Sequence, residues 1–155
     1  MLLGADLRPV SFEASKERFE RALRDDSKAT FCIYERSTLR PIGTTALEEI
    51  DRVHRAAEFD IRIGEKDRWG KGYGTEPTRL MLDYGFTVLG LHSIRLVVLS
   101  YNERAIRAYT RAGFTLAGRI REARRVDGRA YDLIQMDCLA TEFAGSVLQS
   151  LLPKT

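Results

Sequence analysis

Hydrophobic and polar side chains alternate without a break between residues 57 and 63. Such alternation places successive side chains on opposite faces of a β-strand. The apolar face consists of Ala57, Phe59, Ile61 and Ile63, and the charged face consists of Glu58, Asp60 and Arg62. We therefore predict a strand that is buried on one side and carries carboxylates on the other.

The same reasoning divides the rest of the chain into helices and strands. Apolar residues at helical spacing predict helices over residues 14–24, 75–89 and 102–111, and short apolar runs predict strands over residues 30–35, 42–50, 93–99, 114–121 and 130–139. Asn102 is a candidate N-cap, and Gly90 and Gly113 are candidate helix stops. The order α-β-β-β-α-β-α-β-β predicts an α/β (α+β) fold with a mixed sheet and helices on both faces.

Length and charge narrow the possible functions. The chain has 155 residues, which suits a single domain over residues 1–155. Its 25 basic and 22 acidic residues give a formal net charge of +3, which suits an anionic ligand but is too weak to indicate nucleic-acid binding. We find neither a secretory leader nor an apolar run of the roughly 18 residues that a membrane-spanning helix needs. We therefore expect a cytoplasmic protein that does not contact membranes.

The two cysteines, Cys32 and Cys138, lie far apart in apolar, strand-like runs. Their spacing matches no metal-binding pattern, and we expect no metal. A free cysteine behaves as a small apolar side chain, so a position in an apolar run favours a free, buried thiol. We expect both cysteines to be of this kind.

A glycine-rich turn separates the strand over residues 57–63 from the helix over residues 75–89. It reads Trp69-Gly70-Lys71-Gly72-Tyr73-Gly74. Glycines let a backbone approach a ligand closely, and the N-terminus of the following helix attracts anions through its free N–H groups and its dipole. The turn matches neither the dinucleotide fingerprint nor the Walker A loop. It is typical of a phosphate-binding turn, and a flexible surface turn is the competing interpretation.

A second candidate lies on the helix that follows Asn102. Tyr109 is two helical turns beyond Asn102, so the two residues share a face. A phenol has an ordinary pKa of about 10, so it is protonated at neutral pH and can donate a proton to a leaving thiolate. By spacing alone, an ordinary core aromatic is the simpler interpretation of Tyr109.

Taken together, residues 57–114 resemble the GNAT superfamily of N-acetyltransferases. The resemblance rests on a strand, a Q/R-x-x-G-x-G/A loop, a helix, a strand and an N-x-x-A-x-x-x-Y helix that ends in Gly-Phe. Trp69 stands where the family has Gln or Arg. Residues 49–59, 82–86 and 126–132 are similar to the spermidine N-acetyltransferase branch and to its relatives that acetylate the N-termini of ribosomal proteins.

The resemblance implies the GNAT fold and direct transfer of an acetyl group from acetyl-CoA to an amine in a ternary complex. It also implies a set of residues that bind the acetyl-CoA: Ile61, Arg62, Ile63, Trp69, Gly70, Lys71, Gly72, Tyr73, Gly74, Thr75, Asn102 and Ala105. Tyr109 would protonate the departing thiolate. Alkyl amines are mostly protonated at neutral pH, so a base is needed. Glu58 is our candidate, and a salt bridge between Glu58 and Arg62 is the competing interpretation.

The acceptor amine is open at this point. A polyamine such as spermidine, or a protein or peptide N-terminus, is the main candidate. An amine-bearing antibiotic and a non-catalytic acyl-CoA-binding domain are the alternatives, although the presence of Asn102 and Tyr109 argues against the latter. Members of this branch begin with a further strand and helix. We therefore expect this first β-α unit to be shortened to residues 2–10 or absent, and we expect a homo-oligomer, as a dimer.

Overall fold

The computed structural model describes residues 11–22, 24–64 and 73–151, together with most of their side chains. Its helices are Phe12–Ala22 (α1), Thr75–Asp83 (α2), Glu103–Ala112 (α3) and Leu148–Leu151 (α4). Its strands are Ala29–Tyr34 (β1), Pro41–Asp51 (β2), Ala56–Ile63 (β3), Ser93–Leu99 (β4), Thr115–Val126 (β5) and Arg129–Leu139 (β6). A π-helical turn, Tyr84–Val88, continues α2. The proposed short strand over residues 2–10 lies outside the described residues.

The strands form one six-stranded sheet in the order β1-β2-β3-β4-β6-β5. Only the pair β3–β4 is parallel, and the other four pairs are antiparallel. This confirms the predicted mixed, mostly antiparallel sheet. It also sets β1 and β5 at the two edges of the described sheet, with β3 and β4 in its middle.

The hydrophobic core lies between this sheet and two helices. Ala57 and Phe59 of β3 pack with Leu82 of α2, and Ile106 and Tyr109 of α3 pack against the same cluster. Both helices therefore cover the apolar face predicted for β3. The expectation of helices on both faces stays a prediction, because these contacts place only α2 and α3.

Most predicted elements are present, and the differences have local causes. Helix α1 begins two residues earlier than expected because Ser11 caps it, its hydroxyl oxygen accepting a hydrogen bond from the Ala14 N–H at 3.1 Å. The predicted helix over residues 75–89 changes to π-helical geometry at Tyr84. Strand β5 continues to Val126, where Asp127 and Gly128 form the expected turn with positive φ.

The segment after β6 is held to α2 by a buried carboxylate. Asp83 is 2% exposed. Its oxygens accept hydrogen bonds from the Val147 and Leu148 N–H groups at 2.7 and 3.0 Å, and from the Ser146 and Thr87 hydroxyls at 2.5 and 2.9 Å. The carboxylate thereby fixes the start of α4, an element that the sequence pattern did not predict.

The expectation of two buried thiols is wrong for one cysteine. Cys138 is buried in the core, but Cys32 is exposed. Strand β1 is an edge strand whose buried residue is Ile33, and Cys32 points to the opposite face. Within the described residues, no helix is long and apolar enough to cross a membrane.

Candidate active site

The two central strands diverge in the middle of the sheet. Strand β3 pairs with β4 only at its first three residues, ending with Glu58 opposite Arg95. Beyond this point β3 stays paired with β2 as far as Ile63, and β4 stays paired with β6 as far as Leu99. The described strands therefore leave a gap between the second half of β3 and the second half of β4, which we call the β3–β4 gap.

Beyond Glu58 and Arg95, the described strands form no ladder between β3 and β4. Because a strand edge offers backbone N–H and C=O groups, an extended ligand or ordered water can hydrogen-bond along an edge that parts from its neighbour. Ile61 and Ile63 line this edge and are half-buried, whereas Arg62 is exposed and pairs with Asp60 at 3.1 Å. An extended ligand with amide groups, such as a pantetheine arm, can take the place of the missing strand.

The N-terminus of α2 has no side-chain cap. Its N-cap is Gly74, and the first bonds to the Gly74 carbonyl come from the Thr78 N–H at 3.3 Å and the Thr78 hydroxyl at 2.5 Å. The N–H groups of Thr75 and Glu76 precede this first bond, and Pro77 has no N–H. An uncapped helix start of this kind suits a phosphate group. The predicted ligand residues Trp69, Gly70, Lys71 and Gly72 lie outside the described residues.

Helix α3 differs from α2 because a side chain caps it. The Asn102 side chain accepts a hydrogen bond from the Ala105 N–H at 3.3 Å. The predicted N-cap is therefore confirmed. Since this bond occupies the Ala105 N–H, a ligand contact at Ala105 would involve its methyl group. The ligand roles of Asn102 and Ala105 stay predictions.

The start of α2 lies against α3, which brings the two predicted constellations together. A Cβ atom built on Gly74 would lie 3.9 Å from the Ala108 Cβ. Tyr109 follows Ala108 directly. Gly74, the last residue of the glycine turn, and the candidate acid thus belong to one region beside the β3–β4 gap, although they are 35 residues apart in sequence.

Tyr109 is both a core aromatic and a candidate acid. Its ring meets Phe59 and Phe114 edge-on, with centroid distances of 6.1 and 6.0 Å. Burial, followed by the Asp60 charge, raises the pKa of Tyr109 to about 12. Within the described residues, no group accepts a hydrogen bond from its hydroxyl. The side chain is therefore a protonated donor at neutral pH, and its two interpretations from the sequence are compatible.

Glu58 lies where β3 and β4 part, and its partner differs from the one considered above. Its carboxylate is 3.9 Å from the Arg95 Nε, whereas Arg62 pairs with Asp60. The interpretation of Glu58 as the partner of Arg62 is therefore wrong, because the parallel ladder sets Glu58 opposite Arg95. Burial, followed by the Glu49 carboxylate, raises the pKa of Glu58, and Arg95 opposes this shift. A half-buried carboxylate with a raised pKa is a suitable proton acceptor.

More carboxylates surround Glu58 on the charged face of the sheet. Glu48 lies directly opposite Glu58 on β2, and Asp60 is the next residue on that face of β3. Glu49 lies in a β-bulge with φ of 50°. Lys28 pairs with Glu48, and Arg95 reaches Glu49 at 3.4 Å. We call Glu48, Glu49, Glu58 and Asp60 the acidic rim.

Two residues near the site were not singled out from the sequence. Arg95 meets Glu58 and Glu49, and only the strand register reveals this pairing. Glu35, directly after β1, is 5% exposed and accepts a hydrogen bond from the Tyr73 hydroxyl at 2.9 Å. A glutamate that ends an apolar run was the available signal for Glu35, but nothing in the sequence pointed to Tyr73 as its hydrogen-bond partner. In the described ranges no three His, Cys, Asp or Glu side chains are grouped as a metal site would require.

Comparison with known families agrees with this geometry. A family model for the acetyltransferase (GNAT) domain matches residues 5–115. The chain therefore belongs to the GNAT acetyltransferase family. The predicted family, fold and enzyme class are confirmed.

Curated relatives point to one branch of the family. The spermidine N(1)-acetyltransferase of Vibrio cholerae is 33% identical over 133 residues, which cover 86% of this chain and 76% of the relative. The spermidine N(1)-acetyltransferase of Escherichia coli strain K12 is 34% identical over 129 residues, covering 81% of this chain and 66% of the relative. Both are similar along most of the described chain.

A solved structure is similar to this chain over most of its length. It is the spermidine N-acetyltransferase of Vibrio cholerae in complex with CoA and spermine, with 32% sequence identity and a TM-score of 0.80. The match covers 87% of this chain and 79% of that chain. That relative binds both a CoA molecule and a polyamine on the same fold.

Proposed function

We propose that this protein transfers the acetyl group of acetyl-CoA to a primary amine of a polyamine. The β3–β4 gap carries the proposal, because it combines a strand edge that parts from its neighbour, an uncapped helix start and two candidate proton-transfer groups. The binding of CoA and spermine by the similar Vibrio cholerae enzyme supports both substrate classes.

In the proposed reaction the two substrates react directly within the gap. The pantetheine arm lies along Ile61 to Ile63, and the pyrophosphate lies at the start of α2. Glu58 accepts a proton from the ammonium group, directly or through water. The neutral nitrogen then attacks the thioester carbonyl, the carbon–sulfur bond breaks, and Tyr109 donates its proton to the thiolate. The nitrogen loses its second proton as the amide forms, and this proton returns to the Tyr109 oxygen, directly or through water.

The acidic rim supports a polyamine rather than a neutral acceptor. Four carboxylates lie close together with three basic partners, Lys28, Arg62 and Arg95, which leaves one carboxylate charge in excess in a protein whose formal net charge is +3. Such a local excess of negative charge attracts a cation. A polyamine has several ammonium groups, so one nitrogen can be acetylated while another stays charged near the rim.

The test is acetyl-CoA-dependent release of free thiol with a panel of acceptors. We expect turnover with spermidine and spermine and little with aminoglycosides or with peptides that have free N-termini. Preference for peptides or aminoglycosides would replace the polyamine with that acceptor. Tight binding of acetyl-CoA without turnover of any acceptor would indicate a non-catalytic binding domain.

Two properties of the whole chain are proposed alongside this activity. We propose that residues 1–155 fold as one domain and that the protein is a homodimer, as the family resemblance implies. Light scattering coupled to size-exclusion chromatography measures the mass in solution. A mass near twice 17.6 kDa is expected, and a monomer or a larger assembly would contradict the dimer.

A further inference from the structure

A buried carboxylate outside the β3–β4 gap contacts the residue just before α2. Glu35 follows β1 and is 5% exposed. The Tyr73 hydroxyl donates to its Oε1 at 2.9 Å, and the Thr38 hydroxyl donates to its Oε2 at 2.6 Å. A buried carboxylate is costly unless it is hydrogen-bonded, so these bonds are part of what makes the charge tolerable.

The backbone of Glu35 is itself held in place. Its N–H donates to the Arg40 carbonyl at 2.9 Å, and its carbonyl accepts from the Leu39 N–H at 2.8 Å. These bonds close the turn between β1 and β2. These bonds fix the position of Glu35 at the edge of the sheet. The hydrogen bond from Tyr73 then connects Glu35 to a residue 38 positions later in the chain.

Tyr73 lies next to the start of α2, whose orientation matters for binding an anion. It directly precedes Gly74, the uncapped N-cap of α2. Its ring also lines a cavity of about 430 Å³ between β1 and α2, together with Phe31, Pro77 and Leu80. An open cavity gives the start of α2 little packing on that side. The hydrogen bond to Glu35 supplies a specific connection across it.

We infer that Glu35 is a positioning residue that, through Tyr73, holds the start of α2 in the orientation that receives the pyrophosphate of acetyl-CoA. The inference rests on the proposed function and adds the reason why the anion site is preformed. Neither side chain needs to touch the reacting atoms. Their effect should therefore depend on whether the acyl donor has a pyrophosphate.

The test compares two acyl donors, acetyl-CoA and S-acetylpantetheine, which has the pantetheine arm but no pyrophosphate. For Tyr73→Phe we expect kcat/KM with acetyl-CoA to fall about tenfold, mostly through KM. With S-acetylpantetheine we expect a change of less than about twofold. Glu35→Leu, which has no acceptor for the Tyr73 hydroxyl, should give the same split, and adding Tyr73→Phe to it should cause little further loss, since each change removes the same hydrogen bond.

Tyr34→Phe is the matched control, because Tyr34 is an exposed tyrosine beside Glu35 that also lines the cavity. We expect it to behave as the wild type with both donors. If Glu35→Leu does not fold, Tyr73→Phe alone decides, since it removes a single oxygen. An equal loss with both donors, or no loss with either, overturns the inference. A wild type that turns over neither donor overturns the proposed function, and this inference with it.

Discussion

Tyr109 allows a direct test of the proposed chemistry, because its ring and its hydroxyl group have separable roles. Tyr109→Phe keeps the ring contacts with Phe59 and Phe114 and removes the proton donor. We expect kcat to fall by about 10²–10³ while the affinity for acetyl-CoA stays near that of the wild type. Steady-state kinetics and calorimetric binding measure the two quantities. A drop in affinity as large as the drop in kcat would contradict the role of an acid.

The pH dependence of the wild type follows from the same residue. The acid works in its protonated form, and a pKa of about 12 keeps Tyr109 protonated throughout the neutral and mildly alkaline range. Loss of the Tyr109 proton should therefore cause no fall in kcat below about pH 11. Tyr84→Phe is the control for Tyr109→Phe, because it removes the hydroxyl of another half-buried tyrosine, which packs against Phe31 of β1.

Gly43 is a second residue whose identity the structure explains. It lies opposite Ile63 in the β2–β3 pair, and a Cβ atom there would be 2.2 Å from the Arg62 carbonyl oxygen and 3.1 Å from the Ile63 Cα. Gly43→Ala should push β2 away from β3, the strand whose other edge is proposed to hold the pantetheine arm. We expect a loss of about 2–3 kcal/mol in the free energy of unfolding and a KM for acetyl-CoA raised about tenfold.

Gly64→Ala is the control for this change, because a Cβ atom there has only an ordinary contact of 3.9 Å with the Ile42 carbonyl. Denaturant unfolding and the KM for acetyl-CoA are the measurements. If Gly43→Ala were as stable and as active as Gly64→Ala, the close approach of β2 to β3 would not matter for the site.

Single residues also mark the limit of what the sequence predicts. The alternation along β3 correctly indicated which face is buried and put Glu58 on the other. It did not identify Arg95 as the partner of Glu58, because that pairing depends on the register between two strands whose paired residues are 37 positions apart. Cys32 was misjudged for a similar reason, since its apolar run did not reveal that β1 is an edge strand.

At the scale of an element, the attachment of α4 to α2 depends on Asp83. Four hydrogen bonds converge on its buried carboxylate, two of them from the backbone N–H groups of Val147 and Leu148. In Asp83→Asn, one acceptor oxygen becomes an NH₂ group that faces donors. We expect the free energy of unfolding to fall by about 2–4 kcal/mol, measured in denaturant. Thr87→Val removes only one of the four donors and should cost about 1 kcal/mol.

Protonation of Asp83 in acid should lower the free energy of unfolding, as the Asp83→Asn substitution does. Burial by itself raises the pKa of Asp83, but the hydrogen bonds outweigh it, and the pKa lies below its usual value. Because the pKa of Asp83 is lower in the folded state, the charged carboxylate stabilises the protein at pH values above the ordinary Asp pKa of about 3.9. This stabilisation is lost as the pH falls through the pKa of Asp83 in the folded protein. The difference in stability between wild type and Asp83→Asn should therefore shrink below about pH 4. A constant difference would exclude the carboxylate charge as its source.

Elements with a strong repeating pattern were the ones predicted well. All six strands and the helices α1, α2 and α3 followed from alternation, helical spacing and caps. The π-helical turn did not, because it depends on tertiary packing: a Cβ atom on Gly85 would lie 2.6 Å from the Ile94 Cδ1 and 3.1 Å from the Leu47 Cδ1. Helix α4 has four residues, too few for a periodic signal, and its start is set by Asp83.

At the scale of the whole molecule, the sheet consists of two halves joined by three residue pairs. One half is β1, β2 and β3, and the other is β4, β6 and β5. The candidate base Glu58 belongs to the first half, whereas the candidate acid Tyr109 follows β4 of the second. The proposed reaction therefore takes place between the halves, and no single motif in the sequence contains both proton-transfer groups.

The acidic rim makes a prediction that depends on the charge of the whole protein. A polyamine is repelled by the net charge of +3 but attracted by the rim. Attraction between exposed charges is screened as the Debye length falls from about 10 Å at 0.1 M salt to about 3 Å at 1 M. We therefore expect the KM for spermidine to rise several-fold between 0.05 and 0.5 M salt, at a roughly constant kcat.

Removing one rim carboxylate distinguishes this attraction from a general effect of salt. The Glu49 side chain is 71% exposed and meets Arg95 at 3.4 Å, so Glu49→Gln should leave the fold intact. We expect it to raise the KM for spermidine about two- to fivefold at low salt and to flatten the salt dependence. Glu103→Gln, which changes an exposed carboxylate on α3 away from the rim, is the matched control. If both variants shifted the KM equally, only the net charge would matter, and the rim would have no part in recognising the amine.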